Sequence, residues 1–561
     1  MASKDDYLLV AALDFGTTYS EYAFSMKHEF TSDPLKIHVN RAWNSTGRGM
    51  MSLKTSTCLL LNDKKEFVAF GYDAENQYAD IAMDGNQDDY YFFHRFKMNL
   101  HNNKNITKDM MIEDITGKSA LALDVFSLSI HALVIHLTDI LEKQGTGLKK
   151  DEIQWVLTVP AIWTDSAKDF MRKSAVKGGI PDGRLLIALE PEAASIFCQY
   201  LPTKKLLGSE QGFTMTEAGT KYMIIDLGGG TADITVHEKI GADHLSELYR
   251  ATGNDCGGTS VDRNFFTILI KIFGGPLITA LKEEDPAAYL DILREFETVK
   301  RTIKPTHAGK VNMTIPYASL DTICQKHLGD NLVSVLSSCT FSEHIILRGD
   351  KMRIDVDLMK SLFQPPINDI ISLIKEIASE KAVSGFSTIL LVGGFSECLL
   401  VQDAVRRNFP GKKMIIPEET GLSVLKGAVL FGHKPGYVMS RVMRFTYGIE
   451  IRKAFNPEIH DLNRLKIVDG KEKCDGVFEK LIKKNETVSR GMKISKPYSV
   501  RKTQKSVQFK LFTSTENDPD YTDEASCTKV GSAILTLEPS ESDCHWIDVD
   551  YVFGDTELSF L

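Results

Sequence analysis

YMIIDLGGGTADITV, residues 222–236, decides the reading of this chain. Tyr222, Met223, Ile224 and Ile225 form an apolar run the length of a buried strand, and Asp226 stands at its end. Gly228, Gly229 and Gly230 force a tight reversal, after which Ile234 and Val236 alternate as a second strand. A bend without Cβ atoms lets backbone N–H groups come close to an anion. Asp226 and Asp233 flank that bend. A phosphate beside two carboxylates requires a divalent cation between them, and magnesium, which keeps most of its waters, is the usual choice. Alone, the stretch fits an unliganded hairpin equally well, because three glycines are weak evidence.

Residues 8–24, LLVAALDFGTTYSEYAF, repeat the design: an apolar strand, Asp14, Gly16, the hydroxyls of Thr17 and Thr18, then Tyr19 opening another strand. Two strand–Asp–Gly–Thr hairpins this far apart predict two similar half-domains that face one another and clamp a nucleotide's phosphates.

The chain has 561 residues, enough for several domains or subdomains. A net charge of -9 argues against nucleic acid as the main partner. The start, MASKDDYLLVAALDFG, has no basic region followed by an apolar signal core, and no apolar stretch reads as long enough to span a membrane. Nine scattered cysteines without a CxxC pair read as reduced thiols, and Cys544–His545 reads as structural rather than metal-binding. A cytoplasmic protein is expected, with the nucleus also open.

Between the hairpins, residues 25–85 read as short strands and turns, and 122–142 as a long buried helix in which His131 and His136 are packing residues. In YYFFHRFKMNL (90–100), Lys97 either covers apolar surface with its stem or aims a cation at phosphate. IQWVLTVP (153–160) is a buried strand stopped by proline, followed by a helix capped at Thr164 or Asp165. In LLIALEPEAASIF (185–197) a strand runs into Glu190 and a helix with Pro191 in its first turn. Glu190 could reach water around a metal or simply cap the helix. Residues 202–220 read as a polar surface loop.

Further on, Gly257–Gly258 is another glycine turn, with Asp262 expected to start a helix, and 260–380 reads as largely helical with a short β portion around 310–356. LREFETVKRTI places Glu297, Lys300 and Arg301 on one helix face, where they either grip a nucleoside or form a solvated ion-pair face. STILLVGGFSE (387–397) is a buried strand opening at Gly393 and Gly394, which lets backbone lie against a flat ligand. GLSVLKGAVLFG (421–432) is a helix with Gly427 and Ala428 at its centre. An interior glycine costs about 1 kcal/mol against alanine, so close packing on the Ala193–Ala194 helix is expected.

From about 437 the period changes to two: Phe445, Tyr447, Ile449, Ile451, then Val507, Phe509, Leu511, then Ile547, Val549, Tyr551, Phe553. The expected architecture is α/β. Residues 1–435 form a nucleotide-binding domain, with lobe I about 1–220 and lobe II about 221–435. Residues 436–561 form a smaller β-sandwich-like domain.

In this order the motifs resemble the actin-like ATPase superfamily, and within it the seventy-kilodalton heat-shock chaperones, over most of residues 8–432. DFGTTYS and IDLGGGTAD look like that family's two phosphate loops, and VPAIWTDSAKD with LEPEAAS like its first connecting segment. ETVKRT and LVGGFSE look like its adenosine motifs, and LSVLKGAVL like its second connecting helix. The RFKM segment and FGDTELSF look most like the divergent heat shock 70 kDa protein 12 group.

The resemblance implies ATP or ADP with Mg2+ as ligands. Gly16, Thr17, Thr18, Tyr19, Gly228, Gly229, Gly230 and Thr231 would hold phosphates, and Asp14 and Asp226 magnesium through waters. Lys97 would be the catalytic lysine, with Glu190, Thr231 and Asp233 orienting the attacking water. Glu297, Lys300, Arg301, Gly393 and Gly394 would carry the nucleoside. Such a set suits phosphoryl transfer, which is mostly positioning and charge neutralisation.

The chain departs from that pattern in three places. Phe395, Ser396 and Glu397 stand where the chaperones carry an adenine-stacking arginine. FGHKPGYVMSR replaces the acidic-leucine linker, and no length remains for a helical lid. Two readings follow. One is a slowly hydrolysing, chaperone-like ATP-binding protein with nucleotide-dependent domain closure, whose β domain binds a client or signalling partner. The other is a nucleotide-gated adaptor with little turnover. A small-molecule kinase on the same fold would not need the β domain.

Overall fold

In the computed structural model the strand Leu9–Phe15 divides its side chains between two cores. Leu9, Ala11, Leu13 and Phe15 enter an outer core, while Val10 and Ala12 enter an inner one. The strand Lys221–Leu227 does the same: Met223, Ile225 and Leu227 face outward, and Tyr222 and Ile224 share the inner core with Val10 and Ala12. Strands covered on both faces are apolar throughout rather than alternating, which is why both stretches read as continuous hydrophobic runs. The structure describes residues 6–40, 43–44, 51–208, 215, 217–468, 470–501, 505–537 and 544–560. The side chains of Cys544 and His545 lie outside what is described.

The two sheets repeat one topology. Leu9–Phe15 runs antiparallel to Tyr19–Met26 and parallel to Ile153–Val159, which is parallel to Leu185–Leu189. Lys221–Leu227 runs antiparallel to Ala232–Ile240 and parallel to Thr388–Val392, which is parallel to Lys413–Pro417. Helices Glu190–Tyr200 and Ser423–His433 supply the inner core between the sheets, through Ala193, Ala194, Leu425 and Ala428. A Cβ on Gly427 would overlap the Ala193 carbonyl, so the glycine is what lets these helices touch. Lobe II carries the mixed subdomain, with seven helices from Gly258–Phe273 to Gln364–Ala378 around the strands Lys310–Thr314, Ile345–Arg348 and Lys351–Asp355.

Several expectations need correction. The segment 25–85 includes helices Lys27–Ser32 and Tyr72–Met83 beside its strands. Helix Ala122–Lys143 is long and apolar enough by length and composition to cross a membrane, but its apolar face, from Val125 to Leu141, is buried in the outer core of lobe I. His131 is not a packing residue: it is exposed and bonds the Gly178 carbonyl at 2.8 Å, whereas His136 does pack, stacked on Trp43 at 4.0 Å. Within 202–220, Leu206 and Met215 are buried, and Leu206–Leu207 pairs with Ile416–Pro417, because two apolar residues suffice to extend the sheet edge.

The C-terminal region holds a sandwich. A five-stranded sheet built on Thr446–Ala454 faces a three-stranded sheet built on Met492–Arg501 and Cys544–Phe553. All eleven alternating apolar residues named above lie in or against its core. Its boundary is not clean at 435. Val438–Val442 and Thr487–Ser489 extend the lobe II sheet, with Val438 and Val488 fully buried.

Candidate functional site

The two glycine hairpins meet at the mouth of the cleft between the lobes. A Cβ on Gly229 would overlap the Thr18 hydroxyl, and one on Gly230 would come within 2.6 Å of Thr17 Oγ1, so the loops touch only because these positions lack side chains. The second bend is tied from behind by the Gly257–Gly258 turn. Gly258 N donates to Gly228 O (3.1 Å), Thr259 N to Gly229 O (2.8 Å) and Gly257 N to Gly230 O (3.2 Å). The helix after this turn begins at Gly258, not at Asp262; Asp262 is buried one turn in, where it pairs with Arg95 and Lys300, each at 2.6 Å.

A cavity of about 310 Å3 opens between the hairpins. Asp14, Gly16, Thr17, Thr18, Tyr19, Lys97, Glu190, Asp226, Gly228, Gly229, Gly230, Thr231, Glu297, Lys300, Arg301, Gly393 and Gly394 all line it. Asp233 does not. It lies behind Thr231, 1% exposed, accepting bonds from Thr231 Oγ1 (2.9 Å) and Ile162 N (3.0 Å).

At the phosphate end the charges are crowded. Lys97 Nζ donates to Glu190 Oε1 at 2.9 Å and sits 5.1 Å from the Trp163 ring centroid, so the lysine is both paired and covered. Burial raises the Glu190 carboxyl to about 7; Lys97 opposes that, and Asp14 and Asp233 add to it. Asp226 is pushed well above the usual carboxylate range, first by burial and then by Glu190, Asp233 and Asp14. Asp233 is raised by burial against its two hydrogen bonds and the nearby Arg444 charge. Asp14 accepts from Thr158 Oγ1 at 2.7 Å. Four acids crowd around Lys97, with Arg444 and Lys54 further off, and the rise in the Glu190, Asp226 and Asp233 carboxyls marks a site whose donor chemistry suits a divalent cation. Among the described residues no three His, Cys, Asp or Glu side chains converge tightly enough for an all-protein shell. That fits magnesium held largely through its own waters by Asp14 and Asp226.

At the other end the surface is mixed. Lys300 bridges Asp262 and Glu297, each at 2.6 Å, and Arg301 bonds Glu297 while lying 5.7 Å from the Tyr19 ring centroid. Burial works against the Glu297 charge, but Lys300 and Arg301 outweigh it and hold its carboxyl low. Ile303, Phe363, Phe395 and Cys398 supply apolar wall, and Glu397 lines the rim. A flat, partly apolar slot with flanking cations and a carboxylate can take a ring with a hydroxylated sugar.

A model of the Hsp70 protein family matches residues 97–526. The chain belongs to the Hsp70 family. It is an ATP-binding protein of the Hsp70 type, built on the actin-like ATPase fold. It is 34% identical to heat shock 70 kDa protein 12B of Homo sapiens, over 98% of this chain and 88% of that protein. It is 32% identical to heat shock 70 kDa protein 12A of Homo sapiens, and likewise to that of Mus musculus, in each case over 100% of this chain and 90% of the relative. The family match starts at Lys97 and so leaves out the first hairpin, which the matches to heat shock 70 kDa protein 12A cover.

Besides the apolar wall of Ile303, Phe363 and Cys398, sequence reasoning missed two charged residues of this Hsp70-type site. Lys54 lines the cavity, yet lies in a segment that carries no motif. Glu21 is fully buried beside it and has its carboxyl raised to about 7, chiefly by burial. The signal was available: Glu21 interrupts the apolar strand YSEYAF, and a carboxylate in such a strand demands a cation.

Proposed function

We propose that this chain binds Mg-ATP between its lobes, hydrolyses it slowly, and passes the nucleotide state to its β domain, which binds a client or signalling protein. The observation that carries the reading is the convergence of both hairpins, Lys97–Glu190 and the Glu297–Lys300–Arg301 face on one cavity. Thr17, Thr18 and the three glycines would hold phosphate, and Asp14 and Asp226 the hydrated magnesium, whose charge offsets that of the phosphates. Glu190, near neutrality in its raised state, and Asp233, which fixes Thr231, would orient a water for attack.

Contacts between domains support a link to the β domain. Glu192, two residues after Glu190, forms a buried bidentate pair with Arg441, both bonds 2.7 Å, and Arg441 also donates to the Gly554 carbonyl. Tyr447 OH donates to Asp165 at 2.7 Å, and Ser166 Oγ to Val530 O at 3.4 Å. The strand Cys527–Thr536 is an outer strand of its sheet and exposes Ile534 and Leu535, a surface suited to strand addition by an extended peptide. The second reading, an adaptor with little turnover, is favoured by Glu397 at the rim where the chaperones place an arginine. Single-turnover phosphate release separates them. Asp233→Asn should slow release by at least tenfold while Mg-ATP still binds; wild-type binding without release would select the adaptor.

A further inference from the structure

The two hairpins match more closely than their motifs suggest. In the second, Asp226 and Asp233 are direct partners across the strands; in the first, Asp14 and Glu21 hold the equivalent register. Each hairpin thus sets two carboxyl groups side by side, one lining the cleft (Asp14, Asp226) and one buried behind it (Glu21, Asp233). Asp233 is satisfied by Thr231 and a backbone N–H. Glu21 is satisfied differently: Oε1 accepts from Lys54 Nζ at 2.6 Å, and Oε2 has no partner among the described residues. Glu21 is 0% exposed, so Lys54 is the charge that makes its burial tolerable.

Lys54 does more than neutralise Glu21. Its ammonium also donates to the Gly421 carbonyl at 2.6 Å, a contact from lobe I to lobe II across 367 residues of sequence. An ammonium has three N–H donors. Two are taken by Glu21 and Gly421, and the side chain, still 28% exposed, lines the cavity. On Lys97 the arrangement is similar: a lysine held by one glutamate, here a partly exposed one that lines the same cavity.

We propose that Lys54 is a second phosphate-binding cation of this site, oriented by Glu21 and tied to lobe II through Gly421. The proposal rests on the ATP-binding reading and adds to it a residue that closes the cleft: the group that donates to phosphate also bonds the opposite lobe. Nucleotide binding and the Lys54–Gly421 contact therefore favour each other.

Calorimetric titration of Mg-ATP, Mg-ADP and adenosine into the full chain tests this. Lys54→Met should weaken ATP and ADP binding by about tenfold to a hundredfold, the range of a charge-assisted hydrogen bond, and leave adenosine unchanged. Because that variant strands a buried carboxylate, the double variant Glu21→Gln with Lys54→Met removes both charges together and should show the same loss with a restored melting temperature. Lys54→Arg should recover part of the affinity. Wild-type affinity for ATP in the double variant would overturn the proposal, as would an equal loss for adenosine, which would put the lysine on the sugar. A wild-type chain that binds no nucleotide would instead refute the underlying reading, and this proposal with it.

Discussion

Three carboxylic acids show what this fold tolerates at single residues. Glu190 and Glu21 are raised to about 7 and Glu247 to about 8, from 4.5, in each case chiefly by burial. For Glu247 the Glu192 charge adds to the rise, while the bond from Val442 N and the Arg441 charge oppose it. An acid whose folded value is raised holds its proton more tightly in the folded state. Its stabilising contribution is present below about pH 4.5 and is lost as pH rises through about 8. Glu247 lies away from the nucleotide cavity, so its effect can be read on stability alone. Glu247→Gln should leave urea-unfolding stability unchanged at pH 4 and raise it by roughly 1–3 kcal/mol at pH 8.5. An equal change at both pH values would show that charge is not the cause. Asp14 and Asp226 were legible in sequence because each stands near the end of a strand just before glycine, and Asp233 because it follows the same glycine bend. Glu247 was not, because its burial depends on what packs across from it, whereas Glu21 left a signal as the one charge in an apolar strand.

At the scale of elements, the two sheets and the helices between them follow from local pattern. Strand–Asp–Gly–Thr fixes each hairpin, and the small residues of Glu190–Tyr200 and Ser423–His433 mark the contact between helices. Gly427→Ala would place a Cβ on the Ala193 carbonyl, forcing the helices apart or bending one of them. The expected cost is about 1–3 kcal/mol, although alanine is the better helix former by about 1 kcal/mol. A rise in stability in chemical denaturation would refute the packing argument. The sequence was less informative where elements are short or borrowed. Leu206–Leu207 takes its place from the sheet edge it joins, and Val438–Val442 and Thr487–Ser489 take theirs from lobe II although they lie in the β-patterned region. Period-two alternation identifies a strand without saying which sheet receives it. Likewise, helix Ala122–Lys143 is apolar enough for a bilayer, and only the sheet beneath it explains its composition.

Across the whole molecule, charge and connectivity converge on the cleft. Carboxyls from three segments, Asp14, Glu190 and the pair Asp226 and Asp233, gather there and raise one another, and the lobes meet around them through glycines. Such a site is strained by its own charge until a cation and an anion enter together, so magnesium and nucleotide should bind as a unit. From the same region Glu192 reaches Arg441, which in turn donates to the Gly554 carbonyl, and Asp165 reaches Tyr447, so the β domain is held by segments that begin beside the cavity. The proposed magnesium-dependent nucleotide site can be tested by titrating ATP with and without magnesium into the wild type and Asp226→Ala. Saturable binding to the wild type that chelation abolishes is expected, with loss of the magnesium-dependent part in Asp226→Ala. That variant should melt at or above the wild-type temperature without ligand, since it removes one of four crowded acids. Binding to Asp226→Ala with wild-type affinity and magnesium dependence, or no binding to the wild type, would contradict it.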